Sequence, residues 1–127
     1  YIRSTSLDRK LCELIKIRAS QLNGCAYCID MHTEEALELG ETNRRLFATA
    51  AWHESPLFTA DERVALQLTE EVTHIGDEGV TDETYEAAIA AFGEEKTAQI
   101  IMQIVIINAW NRLAVSTEQV YVSKHDQ

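Results

Sequence analysis

The sequence predicts an all-α fold in a single domain of about six helices. Apolar residues recur at steps of three and four along most of the chain, which is the period of an amphipathic helix. The alternating stretch at residues 120–122 is too short to compete as a β-strand. A length of 127 residues suits one domain with a substantial core but not two, so we assign residues 1–127 to one domain.

The first two helices are predicted on either side of an Asn23-Gly24 break. The apolar positions of the first helix, over residues 7–22, are Leu7, Leu11, Leu14, Ile15 and Leu22. Asparagine followed by glycine favours a turn, so the helical pattern stops there. The second helix begins near Cys25 and runs to Gly40, a residue type that often follows the last turn of a helix.

The third and fourth helices are predicted from the residues at their ends. Thr42 can cap the third helix, because its hydroxyl can accept a hydrogen bond from an unpaired N–H group of the first turn. Ser55-Pro56 ends that helix, since a residue before proline avoids the α-conformation. The segment TADE, residues 59–62, is a capping-box sequence that starts the fourth helix.

The remaining part of the chain is predicted to form a loop and two more helices. We interpret residues 75–80, which include two glycines, as the loop. Thr81 then caps a shorter helix that ends at Phe92-Gly93, and the last helix covers about residues 94–115. Its middle, residues 100–107, is apolar nearly all round, a pattern typical of a helix at the centre of a domain or in a subunit interface.

Charge and composition argue against several classes of partner. The formal net charge is −10, from 21 acidic and 11 basic side chains, whereas nucleic acids and anionic membranes require a cationic surface. No apolar run is long enough to cross a bilayer. With three cysteines, too few for a secreted disulfide scaffold, and no charged and apolar leader among the given residues, we expect a cytoplasmic protein. Because the sequence begins at Tyr1 rather than Met, we also expect natural residues before it.

The segment with the most chemical content is GCAYCIDMH, residues 24–32. On a helix that begins near Cys25, the side chains of Cys25, Cys28 and His32 share one face, and the last two are an i, i+4 pair. A helix N-terminus and a neighbouring imidazole both favour the thiolate, which is the reactive form of cysteine. The spacing therefore favours a redox-active pair, while metal binding and an inert pair remain as alternatives.

Glu13 is the candidate partner of His32. If the first two helices fold back on each other, a rise of about 1.5 Å per residue places both side chains at a similar height along the hairpin. The carboxylate can then bind one imidazole nitrogen while the other nitrogen faces sulfur. This is the arrangement of nucleophile, base and orienting group that covalent catalysis requires.

Glu13, Cys25-x-x-Cys28 and His32 stand together in ELIKIRASQLNGCAYCIDMHTEEALELGE. This combination closely resembles the core of the AhpD-like alkylhydroperoxidases, within the carboxymuconolactone decarboxylase family. The segment NAWNRL, residues 108–113, is similar to that family's C-terminal helix. The resemblance is strong over residues 7–54, recurs near 108–114 and is loose between them. It implies an all-α AhpD-like fold whose members assemble as homotrimers or homohexamers.

The resemblance also implies an activity, a thiol-dependent alkylhydroperoxidase without a bound cofactor or metal. In that activity Cys28 attacks a hydroperoxide and becomes a sulfenic acid, and Cys25 resolves it as a Cys25–Cys28 disulfide. His32 and Glu13 relay protons, and an external thiol or dithiol donor reopens the disulfide. One departure is Tyr27, which stands where the best-known members carry a histidine; a phenol is a poor base near neutral pH, so slower turnover is expected.

Two other functions remain open. Relatives that decarboxylate a carboxymuconolactone use acid–base chemistry and need no CxxC pair. A non-catalytic helical module could instead use Cys25, Cys28 and His32 for a structural metal or a redox-sensing bridge, although zinc usually takes four ligands.

Four further groups of residues are expected to have structural roles. Cys12 is interpreted as a small buried hydrophobe, and Trp52 and His53 as packing residues rather than walls of an active site. His74 and His125 are expected at exposed positions. We expect Asn108, Asn111 and Arg112 to form hydrogen bonds between helices or subunits, because buried polar groups need partners.

Overall fold

The computed structural model describes residues 7–126, and six α-helices follow one another along them. They are Arg9–Asn23 (α1), Ala26–Glu38 (α2), Asn43–Ala48 (α3), Ala60–Thr73 (α4), Ile75–Glu78 (α5) and Asp82–Ser116 (α6). Two 3-10 helices, Thr49–Glu54 and Lys124–Asp126, add to them. No β-strand occurs within residues 7–126, so the predicted all-α class is confirmed. Residues 1–6 and Gln127 of the predicted domain lie outside the described residues.

Several helices begin and end at the residues that the sequence indicated. Gly24 ends α1 in the left-handed conformation at φ 67°, which glycine adopts without strain. Thr42 accepts a hydrogen bond from the backbone N–H of Arg45 at the start of α3. Thr59 and Glu62 make both hydrogen bonds of the predicted capping box at the start of α4. These caps satisfy N–H and C=O groups that helix ends otherwise leave unpaired.

Helix α1 lies at the centre of the fold and packs against α2, α4 and α6. Leu14, Ile15 and Ile17 of α1 are fully buried, and each such side chain contributes about 1.5–3 kcal/mol of hydrophobic stabilisation. One face of α1 packs with α4 and α6, and the other with α2 and α3. Cys12 is buried in the first of these clusters, and burial raises the pKa of its thiol, which agrees with its predicted role as a small hydrophobe.

The predicted loop at residues 75–80 is wrong in part, because residues 75–78 form the single-turn helix α5. The backbone N–H of Gly79 bonds the carbonyl of Ile75 and closes this turn. The two predicted C-terminal helices lie end to end as α6, with a break at Gly93. Gly93 has φ 80° and ψ 171°, a conformation open to glycine and costly for other residues. The predicted boundary between the two C-terminal helices is therefore present as a kink within α6.

By length and composition, α6 could also span a membrane, although it contains no unbroken apolar run of that length. In the fold, α6 packs against α1 and α4, and a central helix of a globular domain has the same composition. One strip of α6 nevertheless stays exposed on its apolar side, and it includes Met102, Val105, Trp110 and Leu113. We call these four residues the α6 apolar strip.

Candidate active site

The turn between α1 and α2 places Cys25 at the N-terminal cap of α2. The backbone N–H of Cys25 donates to the carbonyl of Ser20 at 2.9 Å, which fixes the turn after α1. The sulfur of Cys25 accepts from the backbone N–H of Cys28 at 3.2 Å, as a serine or aspartate oxygen does at an ordinary cap. Helix α2 therefore begins where the sequence predicted it.

Cys25 and Cys28 are joined by a disulfide, with their Cα atoms 5.3 Å apart. This Cα separation lies within the normal range for a disulfide. Both residues are 1% exposed, and they pack against Ala114 of α6 and Tyr27. The first turn of α2 thus holds the two sulfurs as a bonded pair.

His32 and Glu13 meet across the α1–α2 hairpin. The Nδ1 atom of His32 lies 2.9 Å from Oε2 of Glu13, and both residues are buried. The hairpin and the common height of the two side chains are as the helical rise predicted. Since Nδ1 is engaged by a carboxylate acceptor, Nδ1 carries the proton of the neutral ring and Nε2 keeps its lone pair.

The neighbours of Glu13 stabilise its ionised form. Burial acts to raise the pKa of Glu13, but the hydrogen bond with His32 and the positive charge of Lys16 outweigh it, so the pKa is lowered. Lys16 reaches Oε1 of Glu13 with its Nζ atom at 3.2 Å. The carboxylate is therefore ionised at neutral pH, and it can stabilise an imidazolium on His32.

A cavity of about 490 Å³ opens beside Cys28 and His32. Lys16, Tyr27 and Gln103 add polar groups to its wall. Its apolar wall includes Met31, Ile106, Ile107, Trp110 and Leu113. Cys28 lines this cavity and Cys25 is not among the lining residues, so the two cysteines of the motif differ in their access to a ligand.

Several of the cavity residues were not singled out from the sequence, among them Lys16, Gln103 and Trp110. Lys16 is three residues from Glu13, a helical spacing that indicates a neighbour on the same face. Gln103 is a lone polar residue inside the apolar run of residues 100–107, and that contrast is a signal in itself. Trp110 carried no comparable signal, because its place at the cavity depends on how α6 packs against α2.

Tyr27, which stands where the best-known alkylhydroperoxidases that the sequence resembles carry a histidine, also lines the cavity. Its ring stands edge to face with Tyr121, with ring centroids 5.8 Å apart. The chain after α6 thus folds back over α2, where Ser123 donates a hydrogen bond to Glu34 at 3.0 Å. The phenol is positioned at the site, but its aromatic contact is with the C-terminal segment.

Trp52 and His53 lie elsewhere, as their packing interpretation predicted. The Nε1 atom of Trp52 donates to Glu70 at 2.7 Å, and the His53 ring stacks on Trp52 with ring centroids 3.6 Å apart. Neither residue lines the cavity. Both residues therefore pack the 3-10 helix Thr49–Glu54 against α4.

The predicted hydrogen bonds of Asn108 and Asn111 join α1 to α6. The side-chain amide of Asn23 donates to both asparagines at 2.9 Å, and Asn111 donates to the hydroxyl of Ser20 at 2.9 Å. Asn111 is fully buried. This network secures the end of α1 directly before the Cys25 cap.

Glu13, His32 and Glu35 offer possible metal ligand atoms within 4.8 Å of one another. The Lys16 ammonium at 3.2 Å from Glu13 opposes a cation there. The sulfurs of Cys25 and Cys28 are not part of this group, and in this structure they are bonded to each other. A metal held by Cys25, Cys28 and His32 would require that the Cys25–Cys28 disulfide first be reduced.

Comparison with known proteins places these features in a family. The model of the carboxymuconolactone decarboxylase family matches residues 1–71. An uncharacterised Bacillus subtilis protein, YdfG, is 41% identical over 116 residues, which cover 91% of this chain and 79% of YdfG. An uncharacterised Escherichia coli protein, YnjA, is 32% identical over 68 residues, which cover 54% of this chain and 37% of YnjA.

Two solved structures share the fold. One is a protein of unknown function from Agrobacterium tumefaciens, suggested to be the antioxidant defence protein AhpD; it superposes with a TM-score of 0.94 at 36% identity, over 98% of this chain and 85% of that one. The other is an uncharacterised peroxidase-related protein from Silicibacter, with a TM-score of 0.83 at 19% identity, over 97% and 64% of the two chains. At 19% identity the second likeness shows the fold alone.

Proposed function

This chain belongs to the carboxymuconolactone decarboxylase family, and we propose that it is a thiol-dependent hydroperoxide reductase. One observation carries the proposal. Cys28, and not Cys25, lines the cavity together with His32, and the Nδ1 atom of His32 is held by the buried Glu13. This arrangement supports the roles of nucleophile for Cys28, base for His32 and orienting carboxylate for Glu13, beside a space for substrate.

The proposed cycle begins with both cysteines reduced. His32 takes the thiol proton of Cys28 at Nε2, and Glu13 stabilises the imidazolium that results. The thiolate attacks the terminal oxygen of the hydroperoxide, so that an S–O bond forms as the O–O bond breaks. The imidazolium then protonates the departing alkoxide, which leaves as the alcohol, and Cys28 remains as a sulfenic acid.

Cys25 completes the oxidation. Its sulfur attacks the sulfur of the Cys28 sulfenic acid, an S–S bond forms, and hydroxide leaves with the Cys25 proton as water. The positions of Cys25 and Cys28, three residues apart at the start of α2, favour this closure, since they bring the Cα atoms to 5.3 Å. An external dithiol then reduces the disulfide by exchange and is itself oxidised to a disulfide. A cycle that depends on a dithiol suits a reducing compartment, which supports a cytoplasmic location.

The proposal is tested by one turnover of the reduced protein. We expect one equivalent of cumene hydroperoxide to remove two of the three thiols as the Cys25–Cys28 disulfide, and to yield one equivalent of alcohol. Labelling with N-ethylmaleimide under denaturing conditions, followed by mass spectrometry, counts the thiols, and the buried Cys12 serves as internal control. Reduced protein that leaves the peroxide intact would refute the proposed activity.

The alternatives predict different results. A lactone decarboxylase would use Glu13 and His32 without sulfur, so decarboxylation of a carboxymuconolactone that survives alkylation of both cysteines would favour it. A metal-binding module would carry stoichiometric zinc when purified without chelator, with thiols that resist alkylation.

We also propose that the chain forms a homotrimer or homohexamer. The α6 apolar strip supports this, because exposed apolar side chains grouped on one helix are typical of a subunit interface. We expect Val105→Glu, which places a charge on the strip away from the cavity, to shift the protein to monomers in light scattering coupled to gel filtration. Leu37→Glu, an exposed apolar position on α2, is the matched control and should leave the mass unchanged; equal masses for all three proteins would contradict the assignment.

A further inference from the structure

The side-chain carbonyl of Gln103 is buried and accepts no hydrogen bond from the described residues. Gln103 is 1% exposed, and its Oε1 atom finds no hydrogen-bond partner among residues 7–126. A buried polar atom that is left unpaired lowers stability, so such atoms are rare and call for an explanation. Gln103 is also the lone polar residue in the apolar run of residues 100–107, where an apolar side chain would fill the same space.

Two other buried atoms lack partners in the described part of the chain, Oγ1 of Thr97 and Oε1 of Gln99. Neither residue lines the cavity, whereas Gln103 lines it together with Cys28 and His32. Of the three, Gln103 is therefore the residue that borders the cavity beside the sulfur. Its Oε1 atom is closed to solvent, so a turn of the side-chain amide must present this oxygen to a bound molecule. Gln99, on the same helix and equally unpaired, provides a natural comparison.

We propose that Gln103 orients the substrate by accepting a hydrogen bond from the terminal O–H of the hydroperoxide, an inference that rests on the proposed function. A hydroperoxide has one O–H donor, and it needs an acceptor in a largely apolar cavity. Three of the other polar groups that line the cavity, from a set that also includes Tyr27, Thr117 and Gln119, are committed. The Cys28 thiolate is the nucleophile, His32 moves the proton, and Lys16 is a donor that pairs with Glu13.

The chemistry of the attack favours this acceptor. The terminal oxygen keeps its hydrogen when it transfers to sulfur, so the O–H that bonds Gln103 in the substrate becomes the O–H of the Cys28 sulfenic acid. The same hydrogen bond can therefore persist through the transition state, with the terminal oxygen aimed at sulfur and the other oxygen left free for the His32 proton. A neutral amide also avoids the repulsion that a carboxylate would exert on the thiolate.

The test compares Gln103→Met with Gln99→Met in the reduced protein. Methionine matches glutamine in length but offers no strong acceptor. For Gln103→Met we expect the second-order rate of Cys28 oxidation by cumene hydroperoxide to fall about tenfold, the worth of one hydrogen bond in the transition state. We expect the rate of Cys28 alkylation by N-ethylmaleimide, a reagent without an O–H or N–H, to stay unchanged.

Stability provides the second readout. Replacing an unpaired buried amide by an apolar side chain of similar shape should leave Tm unchanged or raise it in both variants. Gln99→Met should also keep the wild-type rate with peroxide. In Gln103→Asn the carbonyl is one carbon further from the cavity, so Cys28 oxidation by cumene hydroperoxide should slow as in Gln103→Met. This second variant controls for a packing defect that methionine alone would cause.

Each other outcome overturns the inference in a recognisable way. A wild-type peroxide rate in both Gln103 variants would show that the carbonyl does not touch substrate. Equal losses in peroxide and maleimide rates would show that Gln103 positions the sulfur instead. A lower Tm together with a lower oligomer mass would show that a second copy satisfies the amide. Wild-type protein that fails to react with peroxide at all would instead remove the proposed function on which the inference rests.

Discussion

Replacing Cys28 with serine is expected to lower hydroperoxide turnover by roughly 10⁴-fold or more, since removing the nucleophile of a serine protease costs about 10⁶-fold. A hydroxyl is far less acidic than a thiol, so it supplies no anion near neutral pH and forms no sulfenic acid. The measurement is the steady-state consumption of cumene hydroperoxide with dithiothreitol as reductant. The fold should survive, because the change replaces one small side chain at a position next to the cavity.

Cys25→Ser should behave differently, and that difference separates the nucleophile from the resolving cysteine. Serine is a preferred N-cap residue, so its Oγ can replace the Cys25 sulfur that accepts from the N–H of Cys28. We expect one fast oxidation of Cys28, followed by a sulfenic acid that dimedone traps and mass spectrometry detects. Cys12→Ala is the matched control, since Cys12 lies in the apolar cluster between α1, α4 and α6 and not beside Cys25 and Cys28. Full turnover in Cys28→Ser would show that the roles are wrongly assigned.

The relation of Glu13 to His32 was predictable from the sequence because it depends on local rules. Asn23-Gly24 supplies the turn, helical rise is constant, and apolar positions on both helices face one another, so the hairpin and its register follow. The caps at Thr42, Thr59 and Thr81 were predictable for the same reason, since each depends on residues within one turn of helix.

The cavity was not predictable in this way. Its far wall is the C-terminal half of α6, and the approach of α6 to α2 depends on the buried asparagine network between α1 and α6. No spacing rule connects Gln103 to Cys28 across 75 residues of chain. Helix α5 was missed because one turn of helix that contains a glycine has the same local pattern as a loop.

Replacing Glu13 with glutamine is expected to lower turnover by roughly 10²-fold, the lower end of the effect of general acid–base catalysis. The amide keeps the shape of the side chain but cannot stabilise an imidazolium on His32 as the carboxylate does. Glu35→Gln is the matched control. Its carboxylate lies 3.5 Å from the same Nδ1 atom, but it is 39% exposed and screened by water, so we expect little change in turnover.

The same substitution should change how stability depends on pH. The pKa of Glu13 is lowered from its ordinary value of 4.5 by the hydrogen bond with His32 and the charge of Lys16, which outweigh burial. A carboxyl whose pKa is lower in the folded state contributes stability above its unfolded pKa, and that contribution disappears as the pH falls through the folded pKa. In urea unfolding, Glu13→Gln should therefore be less stable than wild type at pH 7, by about 1–3 kcal/mol for a buried charged hydrogen bond. This difference in unfolding free energy should disappear as the pH falls below 4.5. If the difference in unfolding free energy stays constant down to acid pH, the side chain of Glu13 contributes by packing and not by its charge. Glu13 would then not be the group that stabilises a protonated His32.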